Sequence, residues 1–192
     1  MRPLTLPIAY LDAVDDSLVA RLRRQERAAL AEAYDSFHGA VRGLARRVVG
    51  DDAAAEDLVQ EVFIALPNAI RGFEGRSQLK TFLLSMVINH AKHHVRAAAR
   101  RRALADRYGH AKSGAIVDGD RVVEERELAW LLTRALDELP LEQRAAFVLL
   151  ELEDRSSAEA AEITGVPEAT MRTRLFHAKR KLREKLEEWG VR

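Results

Sequence analysis

The sequence predicts an all-α protein built of two small helical domains joined by a flexible linker. Three observations carry that prediction. Apolar residues recur at three- and four-residue spacing through most of the chain, while strand-like alternation is nearly absent. Glycine and proline are sparse, 10 and 5 in 192 residues, and they fall where the apolar stripes end. One stretch, 107–120, breaks the regularity with three glycines and weak periodicity. A length of 192 at about 100–200 residues per domain fits one domain or two small ones. A hydrophobic fraction of 47% is enough for packed cores.

Each element has its own local signals. Asp16 and Ser17 can cap a helix running through Leu18, Leu22 and Leu30. Tyr34, Phe37, Val41, Leu44 and Val48 continue a second stripe as far as Gly50. Asp51 and Asp52 then cap a helix with Leu58, Val59, Val62, Phe63 and Leu66 inward. Residues 73–77 read as a loop. A helix over 79–95 turns Phe82, Leu84, Val87, Ile88, Ala91 and Val95 inward. The linker is placed at 106–123. A helix follows over 124–139, stopped by Pro140, then one over 142–152. A short helix over 157–164 ends at Gly165, and a longer basic helix runs from 168 to about 189. The domains are therefore expected at 17–105 and 124–192, with 1–16 as an N-terminal extension.

Charge is segregated along the chain although the net charge is only +1. Residues 51–61 hold five acids and no base, and 92–102 hold five bases and no acid. Residues 118–127 hold five acids and two bases, and 172–185 hold seven bases and one acid. Any one block can be a solvated helix face, but four alternating blocks point to different surfaces for different partners. The absence of cysteine excludes disulfide frameworks, thiolate catalysis and cysteine zinc sites. No apolar run approaches the roughly 18 residues of a membrane span, so no membrane insertion is expected. Arg2, Pro3, Pro7 and Asp12 make the first sixteen residues a poor signal peptide, and the simplest expectation is a cytoplasmic protein.

The sharpest constellation is C-terminal. A short helix meets a turn at Gly165, Pro167 opens the next helix, and that helix carries dense positive charge. This is the layout of a helix-turn-helix whose second helix enters the DNA major groove. Arg172, Thr173, Phe176 and His177 form one strip near its start, with Met171, Leu175, Ala178 and Leu182 on the core side. Arginine reads guanine O6 and N7, and phenylalanine can touch a thymine methyl. Lys179 and Arg180 add charge for phosphate. The alternative is an ordinary basic helical hairpin.

Three further groups stand out. Asn89, Lys92, His93 and Arg96 share the polar side of the helix that the basic run continues, a mixture suited to base edges and phosphates. Ahead of them, the stretch 73–81 has Gly75 for backbone freedom and Arg76, Ser77, Gln78 and Lys80 as donors, which can hold an extruded base. Taken alone, a solvated loop explains that stretch as well. Asp57, Gln60, Glu61 and Ile64 cluster on the outer side of the acidic helix, where acids repel phosphate, so this face is expected to meet protein. His90, His93 and His94 have helical spacing that can share zinc, but Lys92 and Arg96 disfavour a cation, and no glutamate follows His90 as a zinc hydrolase motif requires. No metal, cofactor or catalytic site is expected.

At this point the residues resemble a known family, the bacterial sigma factors of the extracytoplasmic-function (ECF, group IV) type. The resemblance runs over about 17–186. Its stretches are 30–37 with 44–47, the run 51–63, the run 73–83 with 89–92, and 135–140 with 165–178. Their order and spacing together are specific. The resemblance implies two helical domains, sigma-2 and sigma-4, which bind core RNA polymerase and promoter DNA. It implies that sigma-2 reads and melts the −10 element and sigma-4 reads the −35 element. It assigns Asp57, Gln60 and Glu61 to the polymerase clamp. It assigns the stretch from Phe73 to Thr81, with Arg76, Ser77, Gln78 and Lys80, to a flipped −10 base, and Asn89 and His93 to its neighbours. It assigns Arg172, Thr173, Phe176 and His177 to the −35 contacts. An anti-sigma factor is a further partner that the resemblance implies.

The chain departs from the family pattern in four places. Phe82 stands where tryptophan is usual, Ala160 where isoleucine is, Thr164 where leucine is, and Ser157 where an aromatic is common. The changes at 160 and 164 bear on packing of the helix-turn-helix. A stand-alone helix-turn-helix regulator would explain the C-terminal half but not the face at Asp57, Gln60 and Glu61. A sigma-like decoy that binds only a regulatory protein would have no use for both basic strips.

Overall fold

A computed structural model describes the backbone at 17–107 and 120–190, with side chains except those at 105–107 and 120–128. Among the described residues there are helices and turns and no strand. The elements are α1 (17–23), α2 (Arg27–Val49), α3 (Asp52–Ala69), α4 (Leu79–Arg107), α5 (Asp120–Asp137), α6 (Leu141–Phe147), α7 (Ser157–Thr164) and α8 (Glu168–Glu188). A single 3-10 turn, Ile70–Gly72, follows α3, and a π-helical turn, Val148–Leu152, extends α6. The expected extension at 1–16 and most of the expected linker lie outside the described residues.

The caps explain most boundaries. Gly50 ends α2 with φ 70, and its N–H donates to the Arg46 carbonyl at 2.7 Å. Asp51 opens α3 by accepting from the Ala54 N–H at 2.8 Å. Burial pushes the Asp51 carboxyl up, but the Ala54 N–H and the Arg101 guanidinium outweigh it and hold it below the usual value. Ser156 and Glu159 form a reciprocal capping box at α7, a pairing of the kind whose loss costs about 1 kcal/mol. Gly165, at φ 68, supplies the left-handed turn that ends α7.

Two boundaries differ from expectation. The helix expected to run from Ser17 through Leu30 breaks after residue 23, where Gln25 takes φ 60. Arg21 reaches Glu26 at 3.2 Å and Glu32 at 2.6 Å, and Arg24 reaches Glu26 at 2.8 Å, so a charge clip closes the turn. The helix placed at 79–95, which the basic run 92–102 continues, extends to Arg107, because Val95 and Ala98 keep the inward stripe going.

α2, α3 and α4 form the first domain around Val41, Leu44, Leu58, Val62, Leu83 and Val87, all buried. α5 to α8 form the second, where Ala135, Leu136, Leu139, Ala178 and Leu182 make a small core of their own. The two domains pack together. Ala146, Val148, Leu149, Ala160, Ile163 and Met171 join the apolar core of the first domain. Arg47 pairs with Glu153, and Arg102 pairs with Asp137 across the same boundary. Ala160 is fully buried at this junction, so its small side chain suits a close approach. The Thr164 hydroxyl donates to the Ala160 carbonyl at 2.7 Å, so it stays satisfied in a half-buried place.

Candidate nucleic-acid and polymerase interfaces

The strip on α8 lies open. Arg172, Thr173 and Phe176 are exposed, with Phe176 at 64%, while His177 is half-buried with its ring edge-on to Phe176 at 5.6 Å. Met171, Ala178 and Leu182 anchor the opposite side of the helix. Arg172 is steadied by Glu168 one turn back at 3.2 Å, which leaves guanidinium donors pointing outward. The Thr173 hydroxyl donates to the Ala169 carbonyl. Lys179 pairs with Glu151 at 2.7 Å and Arg180 with Glu184 at 3.6 Å, both on the surface.

The segment from Phe73 to Gln78 is an ordered loop between α3 and α4. Phe73, expected to meet DNA, is buried, with its ring 4.9 Å from that of Phe82. Its aromatic body is worth more in the core than in water, and its carbonyl accepts from Arg23 of α1. Phe73 thus pins the loop and leaves the polar residues outside. Gly75 sits at φ 73 with open space around it, where a side chain would be strained. Arg76, Gln78 and Lys80 are exposed, and Ser77 and Thr81 are half-buried. These residues line one wall of a cleft of about 780 Å³. Farther along α4, Asn89, Lys92, His93 and Arg96 are all exposed on one face. Of the basic run, Arg101 is held by Asp51 at 3.0 Å and Arg102 by Asp137.

The acidic face of α3 has a more mixed character than its charge suggests. Asp57, Gln60 and Glu61 are exposed, and so is Ile64 at 76%. Ile64, Gln60, Phe63 and Pro67 line an apolar groove of about 520 Å³ against Leu30 and Tyr34 of α2. Glu61 is also tied back to α4. Its two oxygens accept from His90 Nδ1 at 2.6 Å and from His94 Nε2 at 2.7 Å, so both nitrogens carry hydrogens. Those two imidazoles hold the Glu61 carboxyl below its usual value of 4.5. The spacing of His90 and His94 is visible in the sequence, and Glu61 on the facing helix gives it a purpose.

The sign of that pairing sets a pH window. A carboxyl whose folded value is depressed contributes stability above its unfolded value and loses it as pH falls through the folded value. The stability advantage of the wild type over Glu61→Gln should therefore be larger at pH 6 than at pH 3. Urea unfolding at both pH values measures it, and a gap that stays the same would remove the pairing from the account.

Comparison with known proteins bears on these surfaces. Residues 33–101 match the family profile described as Sigma-70 region 2, and residues 129–182 match Sigma-70, region 4. The RNA polymerase sigma-H factor of Pseudomonas aeruginosa is 31% identical over 175 residues, covering 86% of this chain and 90% of that protein. The ECF RNA polymerase sigma-E factor of Escherichia coli K12 is 30% identical over 183 residues, covering 90% and 94%. Among solved structures, CnrH in complex with the cytosolic domain of CnrY has the same fold, with a TM-score of 0.60 and 20% identity over 91% of this chain and 97% of that one. RpoE in complex with the anti-sigma factor NepR from Bartonella quintana gives 0.52 and 25% identity over 82% and 96%. Among the described residues no helix is long and apolar enough to cross a membrane.

Proposed function

The chain belongs to the RNA polymerase sigma factors of the extracytoplasmic-function type, and from that premise we propose which of its surfaces does which part of the work. It directs promoter-specific transcription initiation with core RNA polymerase. In our reading 17–105 is the sigma-2 domain and 124–192 the sigma-4 domain. Asp57, Gln60 and Glu61 dock on the polymerase. Arg76, Ser77, Gln78, Lys80 and Thr81 surround a flipped −10 base, with Phe73 as the anchor beneath them. Asn89 and His93 meet neighbouring bases, and Lys92 and Arg96 meet phosphate. Arg172, Thr173, Phe176 and His177 read the −35 element in the major groove, with Lys179 and Arg180 on its backbone.

The observation that carries this reading is the separation of three surfaces on one chain: an acidic and apolar face on α3, a polar loop running into the basic face of α4, and the strip on α8. Acids beside DNA cost binding, so the α3 face suits protein and the other two suit nucleic acid. A stand-alone helix-turn-helix regulator leaves the first two without a task. Opening a duplex costs a few kcal/mol per unstacked base, and a polar loop beside a basic helix can hold both the base and its strand. Because RpoE of Bartonella quintana was solved with an anti-sigma factor, we extend the same class of partner to this chain. The protein acts as a specificity factor, with chemistry left to the polymerase.

Run-off transcription with core polymerase on a promoter library tests the whole reading, and no template-selective product would end it. Arg172→Ala separates base reading from phosphate contact. It should cost about 1–3 kcal/mol in promoter binding and relax preference at one position. Lys179→Ala should weaken all sequences alike, because a phosphate contact carries no sequence information. Identical behaviour of the two variants across promoter variants would defeat the assignment of Arg172.

A further inference from the structure

We propose that Arg23 of α1 is a positioning residue for base recognition. Through the Phe73 carbonyl it holds the loop 73–78 in the shape that presents its polar side chains to the −10 element. The inference rests on the promoter role given to that loop above. It brings in a helix that none of the contact residues belongs to.

α1 is a firm mount. Leu18, Val19 and Leu22 are buried, so one face of this short helix belongs to the core of the first domain. Three arginines stand at its end, and they take different partners. Arg21 spans Glu26 and Glu32, and Arg24 takes Glu26, which closes the turn around Gln25. Arg23 has no carboxylate partner among the described residues. Its Nη2 donates instead to the Phe73 carbonyl, 50 residues away in the chain. A charged donor makes the stronger kind of hydrogen bond, and the paired arginines on either side fix the backbone that carries it.

That carbonyl is where the path of the loop is decided. Before it the chain is fixed: the Phe73 N–H donates to the Ile70 carbonyl at 3.2 Å, and the Phe73 ring lies 4.9 Å from that of Phe82. After the loop α4 begins, with the Phe82 N–H donating to the Gln78 carbonyl at 3.1 Å. Between these ends stands Gly75 at φ 73, with open space around it, a point where the backbone can swing. A peptide group beside such a point can turn over when nothing holds it, and the side chains that follow turn with it. With the carbonyl held, Phe73 keeps its extended ψ of 120. Glu74 and Arg76 then close on each other at 2.5 Å, and Arg76, Ser77 and Gln78 line the cleft together. Hydrogen bonds weaken steeply away from good alignment, so a base edge is read only by groups in fixed places.

The test separates positioning from a phosphate contact, which would weaken all sequences alike. Run-off transcription is measured with core polymerase on a promoter library randomised across the −10 element at constant −35 sequence. Gln78→Ala removes a group of the loop itself and identifies the −10 position that the loop reads. Arg23 is exposed, so its replacement leaves the core intact. Arg23→Ala should reduce discrimination at that same position by about fivefold, or ~1 kcal/mol. The −35 preference and the affinity for core enzyme should stay as in the wild type. Arg23→Lys keeps a charged donor on a long stem and should restore most of the discrimination. Unchanged discrimination in Arg23→Ala, a uniform loss across all sequences, or no recovery in Arg23→Lys overturns the proposal and leaves the role of the loop standing. No effect of Gln78→Ala at any −10 position overturns the role of the loop, and the positioning by Arg23 with it.

A second measurement needs no polymerase. In amide NMR spectra of the free protein, Arg23→Ala should shift the signals of Glu74, Gly75 and Arg76 and leave those of α8 in place. An unmoved loop overturns the proposal.

Discussion

Asp137→Asn should lower the free energy of unfolding by about 3–5 kcal/mol, measured by urea denaturation followed by circular dichroism. Arg144 has 0% exposure, and the carboxylate of Asp137 lies 2.8 Å from its Nη1. Burial pushes the Arg144 guanidinium below its ordinary value, and Asp137 is the group that opposes this. An amide keeps the shape of Asp137 but removes the charge, so the cation would be left in the interior with neutral acceptors only. Arg102 would lose its anchor as well, which adds to the cost at the domain boundary. Pairing the change with Arg144→Met should recover much of the loss, because an apolar chain of similar length leaves no uncompensated charge. A loss below about 1 kcal/mol for Asp137→Asn would show that the buried pair does not hold this region.

Local chemistry made most of the elements readable. Gly50 followed by Asp51 marks a helix end and the next start, and both positions do what their residue types allow. Gly165 and Pro167 mark the turn of the helix-turn-helix in the same way. The inward stripes of α3 and α8 follow from 3.6-residue spacing, and the residues so placed are buried. Contacts between distant residues were not readable. Phe73 has the composition of a loop around it, and only the facing Phe82 shows why its ring turns inward. The break at Gln25 needs charge partners at 26 and 32 that a helical stripe does not reveal. Glu61 looks free on its own helix, and its imidazole partners are 29 and 33 residues away. The pairing of Arg47 with Glu153 spans 106 residues, and no periodicity encodes a contact of that length.

Ile64→Lys should weaken binding to core RNA polymerase by about 10- to 150-fold while leaving the unfolding transition unchanged. Ile64 is 76% exposed, so its removal costs the free protein little. Covering such a side chain is worth about 1.5–3 kcal/mol, and each 1.4 kcal/mol is a factor of ten in affinity. A lysine forfeits that gain and adds a charge that must be desolvated. Asp57 stands two turns earlier on the same helix and tests the electrostatic part of the face. Asp57→Lys is the cleaner charge reversal, because a lysine at 61 would sit against His90 and His94 and disturb α4. The two variants should differ in salt dependence. Screening shortens the reach of exposed charges to about 10 Å at 0.1 M salt, so the deficit of Asp57→Lys should shrink as salt rises. The deficit of Ile64→Lys should persist, because apolar burial is not screened. If Ile64→Lys binds core enzyme as the wild type does in a fluorescence titration, the groove between α2 and α3 is not part of the docking face. If its deficit instead vanishes with salt in step with that of Asp57→Lys, the contact there is one of charge alone.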